Sequence, residues 1–162
     1  MLAVEKFTGN IWEPACGDGR MSDVLLGAGY TVASTDLYDR GYGTAGIDFL
    51  MQSHVVDNIV TNPPFKLAEE FVTRALRLAR RKVAIFCRLA WLEGQGRYER
   101  IYSVTPPVRV HVFARRVAMT RGGDPTLGAN GAGGMMPFCW IVWDRAHVGP
   151  TELKWLSPFK KE

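Results

Sequence analysis

Two apolar patterns alternate along this chain. Ile11-Trp12, residues 31–35, Ile59-Val60-Thr61 and residues 83–87 are short apolar or β-branched runs, which read as buried strands of a parallel sheet. Between them the spacing turns helical. Met21, Val24, Leu25 and Ala28 recur every three or four positions, with Gly29 as a C-terminal stop. Leu67, Phe71, Ala75 and Leu78 give a helix over 66–81 one buried face, leaving Arg74, Arg77 and Arg81 to solvent. Tyr98, Ile101 and Tyr102 predict a short helix closed by Pro106-Pro107. Residues 108–113 alternate, predicting a strand with one wetter face, and 138–143 form the last strand. Residues 120–137 hold six glycines and no helical period, so they read as a mobile loop. The closing 155–159 stretch is expected to fold back on the surface. Strands alternating with helices predict an α/β, doubly wound sheet in one domain over 1–162.

Composition narrows the class. Of the 162 residues 47% are apolar, enough for a sizeable core, and no apolar run approaches the length of a membrane span or signal peptide. Cys16, Cys87 and Cys139 are odd in number and far apart, which points to reduced thiols in a cytoplasmic protein. His54, His111 and His147 show no ligand spacing, so no metal centre is expected. The net charge of +4 hides a split: residues 1–65 carry 3 basic and 8 acidic side chains, residues 66–121 carry 13 and 4. An anionic partner, chiefly nucleic acid, would meet the middle segment.

The chemistry sits where strands end. The first runs into Glu13-Pro14-Ala15-Cys16-Gly17-Asp18-Gly19, a glycine turn opening a helix, where a ligand can approach the backbone closely. The later glycine of the dinucleotide fingerprint is missing, and no lysine-serine/threonine pair marks a phosphate loop. The second strand ends in Asp36, about twenty residues on, where an acid accepts hydrogen bonds from ribose hydroxyls. The third ends in Asn62-Pro63-Pro64-Phe65. Two prolines stop the strand and leave a carboxamide, a carbonyl and an aromatic ring at its tip. Two acceptors and a flat face suit an exocyclic amine on a planar ring.

Together these segments resemble the ordered motifs of S-adenosylmethionine-dependent amino-methyltransferases, and their order is similar to that of small prophage-type members of the gamma class of N6-adenine DNA methyltransferases. The resemblance covers roughly residues 9–145, including the Arg88–Gly94 stretch. It implies a Rossmann-like class I methyltransferase sheet, mostly parallel with an antiparallel last strand. It also implies S-adenosylmethionine as cofactor, with Glu13 and the turn from Pro14 through Ala15, Cys16, Gly17 and Asp18 to Gly19 around its methionine part. Asp36 would take the ribose, Asp48 the adenine amino group and the Phe49 backbone a ring nitrogen. Asn62 and the Pro63 carbonyl would receive the target amine, with Pro64 fixing the turn and Phe65 stacking on the base. Only nine residues precede the glycine strand, where the family has a longer segment. No separate target-recognition domain is expected, and with it low sequence specificity. Arg88, Arg97, Arg100 and Arg121 are the expected DNA contacts. RNA adenine, a protein glutamine amide, or an inactive cofactor- or nucleic-acid-binding relic are the alternatives.

Overall fold

The computed structural model describes residues 1–115, 117 and 136–157. Seven strands form one sheet: β1 (Ile11–Glu13), β2 (Val32–Ser34), β3 (Val56–Thr61), β4 (Ala79–Arg88), β5 (Arg109–Phe113), β6 (Phe138–Asp144) and β7 (Glu152–Leu156). Their order across the sheet is β2-β1-β3-β4-β6-β5-β7. All pairings are parallel except those of β6, which runs antiparallel to both β4 and β5. The mostly parallel doubly wound sheet with its antiparallel strand is therefore as expected. Strand order reverses between β1 and β3, so the ligand crevice of such a sheet lies beyond the carboxyl ends of these two strands.

Each face of the sheet carries its own core. On one, α2 (Ala68–Leu78) buries Phe71, Val72, Ala75 and Leu78 against Trp12, Ile59, Val83 and Ile85. On the other, Leu25 of α1 (Arg20–Gly27) joins Ile11, Val60, Ala84, Phe86 and Phe138. The alternation of side chains along β3 and β4 thus divides their apolar residues between two layers. Among the described residues, no helix is long and apolar enough to cross a membrane.

Three expectations are corrected. The helix predicted over 66–81 begins as a 3₁₀ turn (Phe65–Leu67) and ends at Leu78, because Ala79 already pairs with Val56 and opens a ten-residue β4. The pull of a buried sheet position overrides helical propensity there. A short α3 (Gln95–Arg97) does follow β4, but it continues as a π-helical turn over Tyr98–Tyr102. The closing segment is not a simple surface fold-back, since Glu152–Leu156 pairs in parallel with β5 as an edge strand. Leu153 and Trp155 stay exposed on it, so no amphipathic pattern announces the strand. The predicted 120–137 loop lies outside the described residues except for Met136 and Pro137.

Candidate functional site

Four strand tips meet along one edge. At the end of β1, Cys16 N–H donates to the Thr35 carbonyl, tying the turn to β2. Gly17 and Gly19 both adopt positive φ, and a Cβ on Gly17 would meet none of the described residues within 4 Å. The turn therefore presents bare backbone to open space, which is what close approach of a ligand requires. Gly19 serves a different purpose. A Cβ there would overlap the Tyr42 ring, whose hydroxyl donates to Asp23 on α1 at 2.8 Å. The 41–46 loop is held against the helix start in this way.

Asp36 is buried and accepts from the Gly17 and Tyr38 backbone N–H groups, each at 2.9 Å, with Arg40 3.8 Å away. A carboxylate has about four lone-pair sites, so two remain for further donors. Asp48 caps the turn that follows it through the Leu50 N–H at 2.9 Å. Phe49 is buried against Trp12, with ring centroids 5.1 Å apart.

Glu13 lies deeper than its expected role implies. It is only 2% exposed and accepts from Ser22 Oγ on α1, which is 2.6 Å from Ser34 Oγ on β2. Burial pushes its carboxyl up to about 7, against the pull of the Ser22 bonds, and the Asp36 and Asp18 carboxylates add to the rise. An acid whose folded pKa is raised gives full stability below the ordinary glutamate range and loses it as pH rises through about 7. Thermal unfolding from pH 5 to pH 8 should therefore show wild type losing stability relative to Glu13→Gln. Parallel pH profiles for the two proteins would mean that Glu13 ionises without cost.

At the tip of β3 the Asn62 Oδ1 atom is buried and has no hydrogen-bond partner among the described residues. Pro63 is buried, while the Pro64 carbonyl accepts from Leu67 N–H at 2.9 Å and so starts the turn into α2. Phe65 remains 45% exposed. The Arg88 guanidinium, from the tip of β4, sits 4.2 Å from its ring centroid, and Phe138 is 6.4 Å away. Phe138 in turn stacks on Phe86 at 5.0 Å, so the exposed ring ends an aromatic ladder rooted in the core.

The other expected DNA contacts are already engaged. Arg97 donates to the carbonyls of Trp91 (2.8 Å) and Glu93, and Arg100 pairs with Glu69. Arg121 lies outside the described residues. Arg74 and Arg77, expected to face only solvent, instead line a groove of about 600 Å3 with Phe65, Lys66, Arg97 and Arg100. The α2 face that carries them turns toward the 89–100 segment, a neighbour that helical periodicity does not reveal. Sequence reasoning also missed Ser22 as the partner of Glu13, with Ser34 behind it, and Tyr42 as the cover of Gly19. Each pairing joins separate elements of the fold, and no local signal marks it.

No protein-family model and no curated protein sequence matches the chain. Solved structures do match. One is a Listeria monocytogenes protein provisionally described as a class I S-adenosylmethionine-dependent methyltransferase (TM-score 0.61, 11% identity). Magnesium protoporphyrin IX methyltransferase from Synechocystis with bound S-adenosylmethionine matches over 84% of this chain and 70% of its own length (TM-score 0.55, 15% identity). A Burkholderia thailandensis 1,6-didemethyltoxoflavin-N1-methyltransferase, solved with S-adenosylhomocysteine, matches over 87% and 72% (TM-score 0.55, 12% identity). The chain aligns over 96% of itself but spans only 60% of the Listeria protein. The fold is that of class I S-adenosylmethionine-dependent methyltransferases.

Proposed function

We propose that the chain transfers a methyl group from S-adenosylmethionine to the exocyclic N6 amine of adenine in DNA. The observation that carries this reading is the Asn62 carboxamide oxygen, buried and without a partner among the described residues at the strand tip beside the reversal of strand order. A buried acceptor without a donor costs about 1–3 kcal/mol, so its retention points to a donor that arrives with the substrate. Phe65 beside it offers an exposed aromatic face, which is what a planar amine needs and an aliphatic one does not use.

The residues present suit the cofactor. Gly17 leaves open backbone for its methionine part, and Asp36 keeps two acceptor sites for ribose hydroxyls at the neighbouring tip. Asp48 and Phe49 follow, for the adenine ring. When bound there the cofactor supplies an activated methyl group on a sulfonium sulfur. The protein's share is positioning. An aromatic amine is a weak nucleophile because its lone pair is delocalised into the ring. Asn62 Oδ1 and the Pro63 carbonyl would accept its two hydrogens and draw the nitrogen toward tetrahedral geometry. Neither group is a strong base, so the proton passes to solvent after the new bond has formed.

Nucleic acid as the substrate class rests on charge. The groove ending at Phe65 is lined by five basic and two acidic side chains, Lys66, Arg74, Arg77, Arg97 and Arg100 against Glu69 and Glu70. In the cytoplasm such a protein would meet both DNA and RNA. Labelled methyl transfer with DNA, RNA and glutamine peptides offered separately tests the reading. DNA is expected to be labelled, with binding that falls steeply as salt rises because phosphate contacts release counterions. Label in the peptide alone, or a flat salt titration, would overturn it. No label and no cofactor binding would establish the relic.

A further inference from the structure

The Arg88 guanidinium is oddly placed for a phosphate contact. It is half-buried, lies over Phe65, and makes no hydrogen bond or ion pair with any described residue. Its Nε–H is buried without an acceptor among them. A buried charged donor left unpaired is more costly than a neutral one, so an acceptor is expected in the working complex.

Arg88 is also a near neighbour of Asn62. Thr61 pairs with Ile85 in register, which sets Asn62 one residue past the paired end of β3 and Arg88 three residues past the matching point on β4. Parallel strands run about 4.8 Å apart. Val60, Ala84 and Phe86 share one core layer, and alternation puts Asn62 and Arg88 on that same face. Two neighbouring strand tips, one of them carrying the ring that Arg88 covers, therefore hold a buried acceptor and a buried donor that no described residue satisfies.

We infer that Arg88 is a specificity residue that reads the ring nitrogen beside the target amine. This rests on the methyltransferase reading above. An adenine amine is flanked by ring acceptors N1 and N7, so its edge presents an N–H next to a lone pair. That edge complements Asn62 Oδ1 and Arg88 Nε–H together. A lysine amine or a phosphate would satisfy only one of the two. A base stacking on Phe65 enters the layer that the guanidinium now holds. Side-chain rotation lets the arginine make way, and its N–H groups, which lie in the guanidinium plane, then face the base edge. A hydrogen bond at the ring nitrogen does not activate the amine. It orients the ring and selects substrates whose amine has an acceptor alongside.

The test compares single-stranded oligonucleotides bearing one adenine, 1-deazaadenine or 7-deazaadenine, with wild type, Arg88→Ala and Arg88→Lys. Removing a ring nitrogen also changes the amine's own reactivity, so the quantity to read is each substrate's kcat/KM ratio between wild type and Arg88→Ala. On adenine that ratio should be about ten to a hundred, as for a hydrogen bond to a charged donor. On one of the two deaza substrates it should fall to near one, which names the nitrogen read. Arg88→Lys keeps a donor and should restore part of the discrimination; a merely structural arginine would lower all three substrates alike. Equal ratios on all three, or a loss that simply tracks salt, would overturn the inference and leave Arg88 a phosphate contact. If wild type labels no adenine at all, the proposed function falls, and this inference falls with it.

Discussion

Asn62→Ala is expected to slow methyl transfer by about 10²–10³ while leaving cofactor affinity unchanged. Loss of one preorganised, desolvated hydrogen-bond partner of a reacting group typically costs this much. The Asn62 oxygen is already buried and unpaired among the described residues, so no contact seen in the resting protein depends on it. The glycine turn and Asp36 hang on β1 and β2, and their backbone ties do not pass through β3. Phe65→Ala should behave differently. It removes the stacking plate, worth roughly 1–3 kcal/mol per base, and so weakens substrate capture more than the chemical step. Tyr or Trp in its place should restore most of that loss. Single-turnover rates alongside calorimetric cofactor binding separate the two variants. Full transfer by Asn62→Ala would leave the Asn-Pro-Pro-Phe stretch a turn and nothing more. Equal loss of cofactor binding in both would make it a structural loop.

The second large effect belongs to the opposite edge of the sheet. Glu5, 2% exposed, accepts from Lys82 Nζ at 3.0 Å, from the Arg109 guanidinium, and from His111 Nε2 at 2.9 Å. Since the carboxylate only accepts, His111 must carry its proton on Nε2. Asp144 shares the same cations, 3.2 Å from Lys82 and 3.4 Å from Arg109. Glu5→Ala would leave these largely buried charges with Asp144 alone. Breaking a buried pair by removing one partner costs about 3–5 kcal/mol. With a typical denaturant slope, the urea midpoint should fall by roughly 2 M. The ion pairs hold the Glu5 carboxyl well below the usual range, despite burial that opposes them. Its contribution is therefore present above the unfolded pKa and lost as pH falls through the acid range beneath it. Wild type should show a steep acid limb that Glu5→Ala flattens. A midpoint shift under 0.5 M, or identical acid limbs, would show that the cluster is not holding the amino-terminal segment.

Reading by pattern reached the parts that depend on neighbours in sequence. Apolar runs at β3 and β4, helical spacing in α1 and the glycine turn after Glu13 are each fixed by residues within one turn or one pleat of each other. The Asn62–Phe65 tip belongs with them, because two prolines end a strand wherever they occur. Helical spacing overruns the end of α2 because Val56, the strand partner of Ala79, lies far upstream of it. The same holds for β7, an edge strand whose exposed residues carry no alternation and whose pairing with β5 supplies the structure.

What the sequence determined by itself, then, was the class of sheet and the chemical groups at its strand tips, since strand ends and turns follow from local sterics and spacing. Only the tertiary structure decided how those groups are used. It buried Glu13 against Ser22, engaged Arg97 and Arg100 within the protein, gathered Glu5, Lys82, Arg109 and Asp144 from four distant segments, and laid Arg88 across Phe65. Burial, and which polar atoms remain without partners, are properties of packed neighbours, and a one-dimensional pattern cannot encode them.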